Sequence, residues 1–306
     1  MPIDQSLLDV VLPEGSGYPE DLAKGDTREV LSDVCQASGI IVTEFPSSMW
    51  IDRKDWAERA AFLKENKMRA IDYLDRFTNQ GSGTNPLNGR RGYSTHECTC
   101  HSLRACMEAC WNRQRRISLE GPTSDRRTLA TANSHSVWLS PLSVYAIANP
   151  RQWGGASIRG VVKIAGERGM LPETIQPRDY KFKHTLHGTC GGGNYRQSSG
   201  EWVRLRDFPD GCEETSMNFR PLEVIFPDDA EQLVCLILNS HMVGVGRSGH
   251  AVPLGEWHDD DEAAGYPDSY NVMRYDSFRK MRGYAGGAFA IVSCTQPDDY
   301  DNPAGI

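Results

Sequence analysis

The strand-like part of this 306-residue chain lies near its end. Runs rich in valine, glycine and other apolar residues occur there, whereas the earlier apolar spacing is mostly helical. Consecutive strands joined by short turns pair in antiparallel fashion. Strands are predicted near 242–247, 249–257, 271–275 and 287–292. Helices followed by an antiparallel sheet predict an α+β fold in two halves, with a cleft between them.

A long helix is predicted from the segment Glu97-Cys98-Thr99-Cys100-His101-Ser102-Leu103 onwards. Apolar or soft side chains recur at positions 103, 106, 107, 110 and 111, which is the spacing of a helix with one buried face. Cys100 would then lie in the first turn. The unpaired amides and the dipole of a helix N-terminus favour an anion, so a thiol placed there is biased toward the nucleophilic thiolate.

A histidine and an aspartate follow in strand-like segments. His250 stands in Gly249-His250-Ala251-Val252, and Asp276 follows the run 271–275. An imidazole can take the proton of a thiol, and a carboxylate can hold that imidazole in the correct tautomer. We therefore predict a catalytic triad of Cys100, His250 and Asp276. The thiol should lie within about 4 Å of one ring nitrogen, and Asp276 should face the other.

Taken in chain order, these segments resemble the papain-like cysteine peptidases over about residues 93–293. The histidine strand carries part of the resemblance, as does Asp276-Ser277-Phe278, which is similar to the Asn-Ser-Trp step of the family. The other segments that resemble family motifs are Leu103, Leu139-Ser140-Pro141-Leu142, Trp153-Gly154-Gly155-Ala156-Ser157 and Gly169-Met170-Leu171-Pro172-Glu173.

This resemblance implies a papain-like α+β fold and the activity of a cysteine peptidase or amidase that needs no cofactor. The thiol would attack the carbonyl of a peptide or amide bond in a peptide or protein substrate. The substrate cleft would be lined by Gly154 and Gly155 on the acyl side and by Gly249 and Ala251 beside the histidine. Phe278, also in the cleft, would cover the triad.

The position that usually supplies an oxyanion donor differs from the family pattern. A Gln normally precedes the thiol by six residues, but Ser94 occupies that position here. Loss of one such donor typically reduces the rate by about 10²–10³-fold. The candidates to replace it are the Cys100 amide together with Ser94 or His96. His101 stands where a Trp usually follows the thiol.

Two simpler interpretations of the cysteines stay open. Cys100 could be one more buried thiol, as we expect for Cys35, Cys106, Cys110 and Cys235. Zinc could instead bind near the start of the helix, at His96, Cys98, Cys100 and His101. That run is not Cys-x-x-Cys and has no distant second pair of ligands, so no metal site is predicted.

Three domain segments are predicted. Residues 1–85 form an N-terminal extension, in which an apolar stripe predicts a long helix over 52–77. The extension is either a pro-segment or an arm that packs on the body or on a partner. Residues 86–294 form the papain-like domain, and 295–306 form an acidic C-terminal tail.

Shorter helices are predicted within the papain-like domain. Ser140 and Pro141 provide the cap and first residue of one helix. Apolar spacing from Ile158 predicts a second, which ends at Gly169. A third begins at the acidic run 228–231 and continues to Leu238.

Composition restricts the possible partners and compartments. The net charge of −8 and the scattered Lys and Arg residues indicate no nucleic-acid surface. No apolar run approaches the roughly 18 residues of a membrane span. The N-terminus shows no basic and apolar secretory signal, and the odd number of cysteines, nine, favours reduced thiols. These features predict a location in the cytoplasm or in a virion.

A function of another class remains open. The chain could be a papain-fold structural component of a large assembly such as a phage virion, with weak or no catalysis. The N-terminal arm and the acidic tail would then contact other chains of the assembly.

Overall fold

The structure is a computed structural model of the chain. The residues that it describes are 3–9, 27–74, 83–84, 91–93, 98–120, 137, 139–148, 156–172, 194–196, 202–204, 213–247, 250–268, 272–284 and 287–295.

The described helices are numbered in chain order. They are α1 (Arg28–Ala37), α2 (Trp56–Glu65), α3 (Cys98–Glu120), α4 (Pro141–Ala148), α5 (Ile158–Arg168), α6 (Glu213–Met217), α7 (Ala230–Leu238) and α8 (Phe278–Met281). Short 3₁₀ turns occur at Gln5–Leu7, Ser47–Met49, Arg53–Asp55 and Ala70–Tyr73.

The described strands lie mainly in the second half of the chain. They are β1 (Ile41–Thr43), β2 (Gly83–Thr84), β3 (Arg91–Tyr93), β4 (Asn194–Arg196), β5 (Trp202–Arg204), β6 (Pro221–Ile225), β7 (Val243–Arg247), β8 (His250–Leu254), β9 (Glu256–His258), β10 (Ala263–Asp268), β11 (Val272–Ser277) and β12 (Ala288–Cys294).

Two sheets form the β half. One has five strands in the order β1-β6-β12-β7-β8, and the other has three in the order β11-β10-β9. Every pairing within them is antiparallel except that of β1 with β6. The amide of Gly255, just after β8, donates to the carbonyl of Gly265 in β10 at 2.9 Å, which joins the two sheets. The predicted α+β class, with a helical half and an antiparallel half, is confirmed.

Helix α3 packs against both halves. It contacts α4 and α5 on the helical side, and β8 and β12 on the sheet side. The side chains of Leu103, Met107 and Trp111 are buried in this contact, at the helical spacing that the sequence predicts. The burial of this face fixes the helix, and therefore its first residue, relative to β8.

Polar side chains of α3 are also buried, and they bind neighbouring segments. Arg104 donates to Glu108 at 2.5 Å, and the other oxygen of Glu108 accepts from the Leu139 amide at 2.6 Å. Asn112 accepts from the Val137 amide at 2.9 Å. Because a buried polar group is costly without a partner, these bonds both stabilise α3 and position the chain before α4.

The predicted helix over 52–77 is wrong in length. The helix proper is α2, which ends at Glu65. Lys67 has a φ of +51°, and the Met68 amide donates to the Leu63 carbonyl at 2.8 Å, so the chain turns out of the helical path. Apolar residues further along, which continue the stripe in the sequence, belong to the turn Ala70–Tyr73.

Part of the N-terminal segment joins the body of the protein. Helix α1 packs against α5, and β1 adds a strand to the edge of the five-stranded sheet at β6. Residues 75–82 and 85–90 lie outside the described residues, so the boundary near 85 stays a prediction. The acidic tail from residue 296 also lies outside them.

The short helices agree with the prediction. Helix α4 begins at Pro141, and Gly169 is the C-cap of α5. Asp229 caps α7 by accepting from the Gln232 amide at 2.8 Å.

The prediction for the strands missed β1 to β6 and β10, and it merged β8 with β9, which Gly255 separates. Glycine and proline are unfavourable inside strands, and β10 contains both, at Gly265 and Pro267.

Within the described ranges, no helix combines the length and the apolar character that a membrane span requires.

We expect Gly169→Ala to reduce the free energy of unfolding by more than about 2 kcal/mol. Gly169 has a φ of +75° and a ψ of −169°, a region that is essentially restricted to glycine. An added Cβ would also lie 1.8 Å from the Ser216 carbonyl oxygen. Urea unfolding measures the change. Gly283→Ala is the matched control, because its Cβ would come no closer than 3.5 Å to a neighbour and stability should change little.

Candidate active site

The site begins at the first residue of α3, which is Cys98. The helix packs with this end beside β8, whose first residue is His250. The Cys98 side chain acts on the His250 imidazole and raises its pKa, so the two groups are neighbours. A cysteine and a histidine are therefore neighbours at a helix N-terminus, but the cysteine is Cys98, whereas the sequence analysis predicted Cys100.

The second partner of His250 is Asp268. The Nε2 atom of His250 lies 2.8 Å from Oδ1 of Asp268, the last residue of β10. All three side chains are enclosed: Cys98 is 0% exposed, and His250 and Asp268 are 1% exposed. The structure thus brings a thiol, an imidazole and a carboxylate together as buried neighbours.

The environment of His250 favours its protonated form. Burial alone would lower the pKa of the imidazole. The negative charge of Cys98 and the hydrogen bonds with Asp268 and Cys98 outweigh burial and raise the pKa from 6.5 to about 9. These neighbours therefore favour the protonated imidazolium over the neutral ring.

Asp268 is held in its charged form. Burial would raise the pKa of this carboxyl group, but the hydrogen bond and charge of His250, followed by the charges of Arg274 and Arg247, lower it below its ordinary value. An ionised Asp268 can accept the imidazole proton in a hydrogen bond and fix the orientation of the ring.

Asp276, which the sequence analysis placed beside His250, has different partners. Its two oxygens accept from Arg247 at 2.7 and 2.9 Å, from Lys280 at 2.7 Å and from the Tyr284 hydroxyl at 3.0 Å.

The strand register explains the difference. Asp276 pairs with Ala264 across the ladder, whereas the strand position of Asp268 pairs with Val272. The two positions are four residues apart, or about 13 Å along the strand. The aspartate that contacts His250 is therefore Asp268, which corrects the predicted position.

Cys100, which the sequence analysis predicted as the nucleophile, lies on a different side of α3 from Cys98. Two residues along a helix rotate a side chain by about 200°, so Cys98 and Cys100 project from nearly opposite sides of α3. Cys98 is the described cysteine that acts on the pKa of His250. Cys100 is fully buried in the core. Between them, the Thr99 hydroxyl donates to the Ala156 carbonyl at 2.8 Å.

Of the other predicted site residues, Ala251 and Phe278 are described by the structure and the rest are not. Ala251 follows His250 in β8 and is buried in the same hydrophobic cluster as Cys98. Phe278 belongs to the other cluster, where its ring contacts Trp56 and Trp257, so it does not cover the site as predicted. The remaining predicted residues, Ser94, His96, Gly154, Gly155 and Gly249, lie outside the described residues.

The sequence contains a motif that marks Asp268, the aspartate that contacts His250. The chain contains two Asp-Ser-aromatic steps, Asp268-Ser269-Tyr270 and Asp276-Ser277-Phe278. The first is nearer to His250, but it follows the strand that the sequence pattern did not reveal. Likewise, Cys98 and Cys100 both fall in the first turn, and only the rotation of the helix distinguishes them.

Among the side chains of the described residues, no group of three or more His, Cys, Asp or Glu could hold a metal ion. His96, one of the residues in the alternative zinc interpretation, lies outside them.

Comparisons with known proteins give matches among solved structures alone. No protein-family model matches the chain, and no curated protein matches it. The chain is similar to xylellain, a cysteine protease from Xylella fastidiosa, at 14% identity and a TM-score of 0.45, over 72% of this chain and 83% of that one. It is also similar to digestive procathepsin L 3 from the larval midgut of Tenebrio molitor, at 11% identity and a TM-score of 0.31, over 88% of this chain and 98% of that one.

We expect Asp268→Asn to lower the pKa of His250 by about 1–2 units, because the variant removes the negative charge that stabilises the imidazolium. NMR titration of the histidine ring protons measures this value. Asp276→Asn is the comparison. It should destabilise the fold by about 3–5 kcal/mol, since it leaves buried cations without their partner. It should leave the His250 pKa within about 0.5 unit of the wild-type value. The reverse pattern would restore Asp276 as the partner of His250.

Proposed function

We propose that this protein is a cysteine peptidase or amidase in which Cys98 is the nucleophile, His250 is the proton carrier and Asp268 orients His250. The observation that carries the proposal is the buried contact of one imidazole with a thiol at a helix N-terminus and with a carboxylate 2.8 Å away. Arrangements of this kind activate a nucleophile through an adjacent base, which a third group orients.

The geometry supports the following steps. The Cys98 sulfur attacks the carbonyl carbon, and the carbonyl oxygen becomes an oxyanion. The protonated His250 then gives its proton to the leaving amine as the C–N bond breaks, which leaves an acyl-thioester on Cys98. Water, deprotonated by His250, attacks the thioester and releases the acid. Because Nε2 is bonded to Asp268, Nδ1 is the ring nitrogen that serves the sulfur and the leaving group.

Oxyanion stabilisation would come mainly from backbone groups. With Cys98 as nucleophile, the position six residues earlier is Gly92, which has no side chain to donate. The Cys98 amide at the start of α3 is the first candidate, because helix N-terminal amides and the dipole favour developing negative charge. Ser94 and His96 remain proposed as the second donor.

The substrate class follows from the proposed chemistry, which is acyl transfer from a peptide or amide. Thr99 ties the segment beginning at Ala156 to the nucleophile helix. This segment directly follows Gly154 and Gly155, which we propose as the backbone that lies beside the acyl part of a peptide. We also propose a location in the cytoplasm or a virion, and binding to other chains of an assembly. The catalytic steps above do not depend on either proposal.

Cys98→Ala should reduce hydrolysis of a panel of fluorogenic peptide amides by at least about 1,000-fold, because the step that forms the acyl-enzyme is lost. Cys100→Ala is the matched control and should retain activity within about threefold, since Cys100 projects away from His250. Circular dichroism and thermal unfolding establish that both variants are folded.

Mapping with a small thiol reagent gives an independent answer. Iodoacetamide at mildly acidic pH should label Cys98 before the other cysteines. A small reagent is needed because Cys98 is enclosed. Equal hydrolysis by wild type and folded Cys98→Ala would remove the peptidase proposal and favour the structural component of an assembly.

The pH dependence of kcat/KM should show an alkaline limb near pH 9. His250 must be protonated to give its proton to the leaving amine, and its pKa is raised to about 9. Activity is therefore retained while the pH is below this value and is lost as the pH rises through it. A limb near 6.5 would mean that the charges of Cys98 and Asp268 do not act on His250.

A further inference from the structure

The carboxylate of Asp268 has a second charged neighbour besides His250. Its Oδ2 atom lies 2.6 Å from Nε of Arg274 on β11, while Oδ1 serves His250. The Arg274 side chain is 17% exposed and Asp268 is fully enclosed. The N–H of Arg274 is not aligned along a hydrogen bond, so the contact is a close ion pair.

The strand register explains how Arg274 reaches Asp268. Arg274 pairs directly with Tyr266, and Asp268 lies two residues further along β10 on the same face. Diagonal neighbours of this kind lie within reach of a long side chain. The arginine therefore contacts one oxygen of Asp268 while the histidine contacts the other.

Other described charged groups also act on the pair. His250 faces Cys98 from α3 and Asp268 from β10, and Asp268 is also influenced by Arg247 from β7. The guanidinium of Arg247 is itself engaged by Asp276 and by the Tyr266 hydroxyl, at 2.7 Å each. Among the described residues, Arg274 is a cation in direct contact with the Asp268 oxygen that does not face His250.

We propose that Arg274 is a positioning residue of the site, which holds Asp268 in the orientation that bonds His250 Nε2. The inference rests on the proposed function, because it assigns Arg274 a role through the same imidazole. A carboxylate bound at one oxygen alone can rotate about its side-chain bonds. An ion pair at the other oxygen fixes that rotation, in the way that groups outside a site orient the residues inside it.

Two physical effects of removing Arg274 have opposite signs, and they can be distinguished. Removing a nearby positive charge, with Asp268 still in place, would stabilise the imidazolium and raise the His250 pKa. Releasing Asp268 from its orientation would weaken its bond to His250 and lower that pKa toward the ordinary value of 6.5. The proposal requires the second effect to be larger.

The test measures the His250 pKa by NMR titration in Arg274→Met, which keeps an apolar stem and removes the charge. We expect the pKa to fall by at least about one unit from the wild-type value. Arg274→Lys should keep it within about 0.5 unit, because the cation is retained. Arg279→Gln, at an exposed arginine of α8, controls for the change in net charge and should have no effect.

Loss of stability in Arg274→Met without a fall in the His250 pKa would overturn the proposal, as would a rise in that pKa. If Arg274→Met does not fold, Arg274→Gln is measured in its place. If neither folds, Arg274→Lys decides, since a fall of a full unit in that variant would show that the cation does not hold Asp268.

The measurement distinguishes this inference from the proposed function. Failure of wild type to hydrolyse any amide would count against the peptidase proposal alone, because the His250 pKa in the variants does not depend on a substrate. If wild type is active, Arg274→Met should lower kcat more than it raises KM, with the alkaline limb of its pH profile moved down together with the His250 pKa. Arg274→Lys should restore both.

Discussion

The antiparallel register of β10 and β11 determines the layout of charge around His250. Cross-strand partners and alternate residues share one face of a sheet, so Tyr266 and Asp268 of β10 lie on the same side as Arg274 and Asp276 of β11. Asp268, at the end of β10, reaches the histidine. Asp276, at the far end of β11, binds Arg247. Two aspartates of similar sequence context thus acquire different partners through register alone.

The cost of burying these groups explains why they occur in pairs. Asp268, Asp276 and His250 have almost no exposure, and each meets at least one group of opposite charge or a hydrogen-bond donor. An isolated buried charge would cost several kcal/mol, and pairing reduces this penalty rather than turning it into a large gain. These ion pairs therefore fix the orientations of the buried side chains and contribute little to the stability of the fold.

The sequence was sufficient to predict the α+β class, the helix that carries Cys98 and Cys100, the strand that begins at His250, and the helix boundaries at Pro141, Gly169 and Asp229. Each of these depends on local signals, such as apolar spacing, caps and a glycine. Cys98 and Asp268 were missed because their roles depend on helix rotation and on the pairing of β10. The latter strand contains Gly265 and Pro267, so its own residues do not indicate that it is a strand.

Strand β1 has a consequence for processing of the N-terminal segment. Its residues hydrogen-bond in parallel to β6, while Ile40, just before it, is buried in the core next to Gly166 of α5. Proteolytic removal of the chain up to Thr43 would uncover the edge of β6 and an apolar face of α5. Unpaired strand edges of this kind favour intermolecular pairing. Cleavage in this region would thus produce a truncated protein that is prone to aggregate.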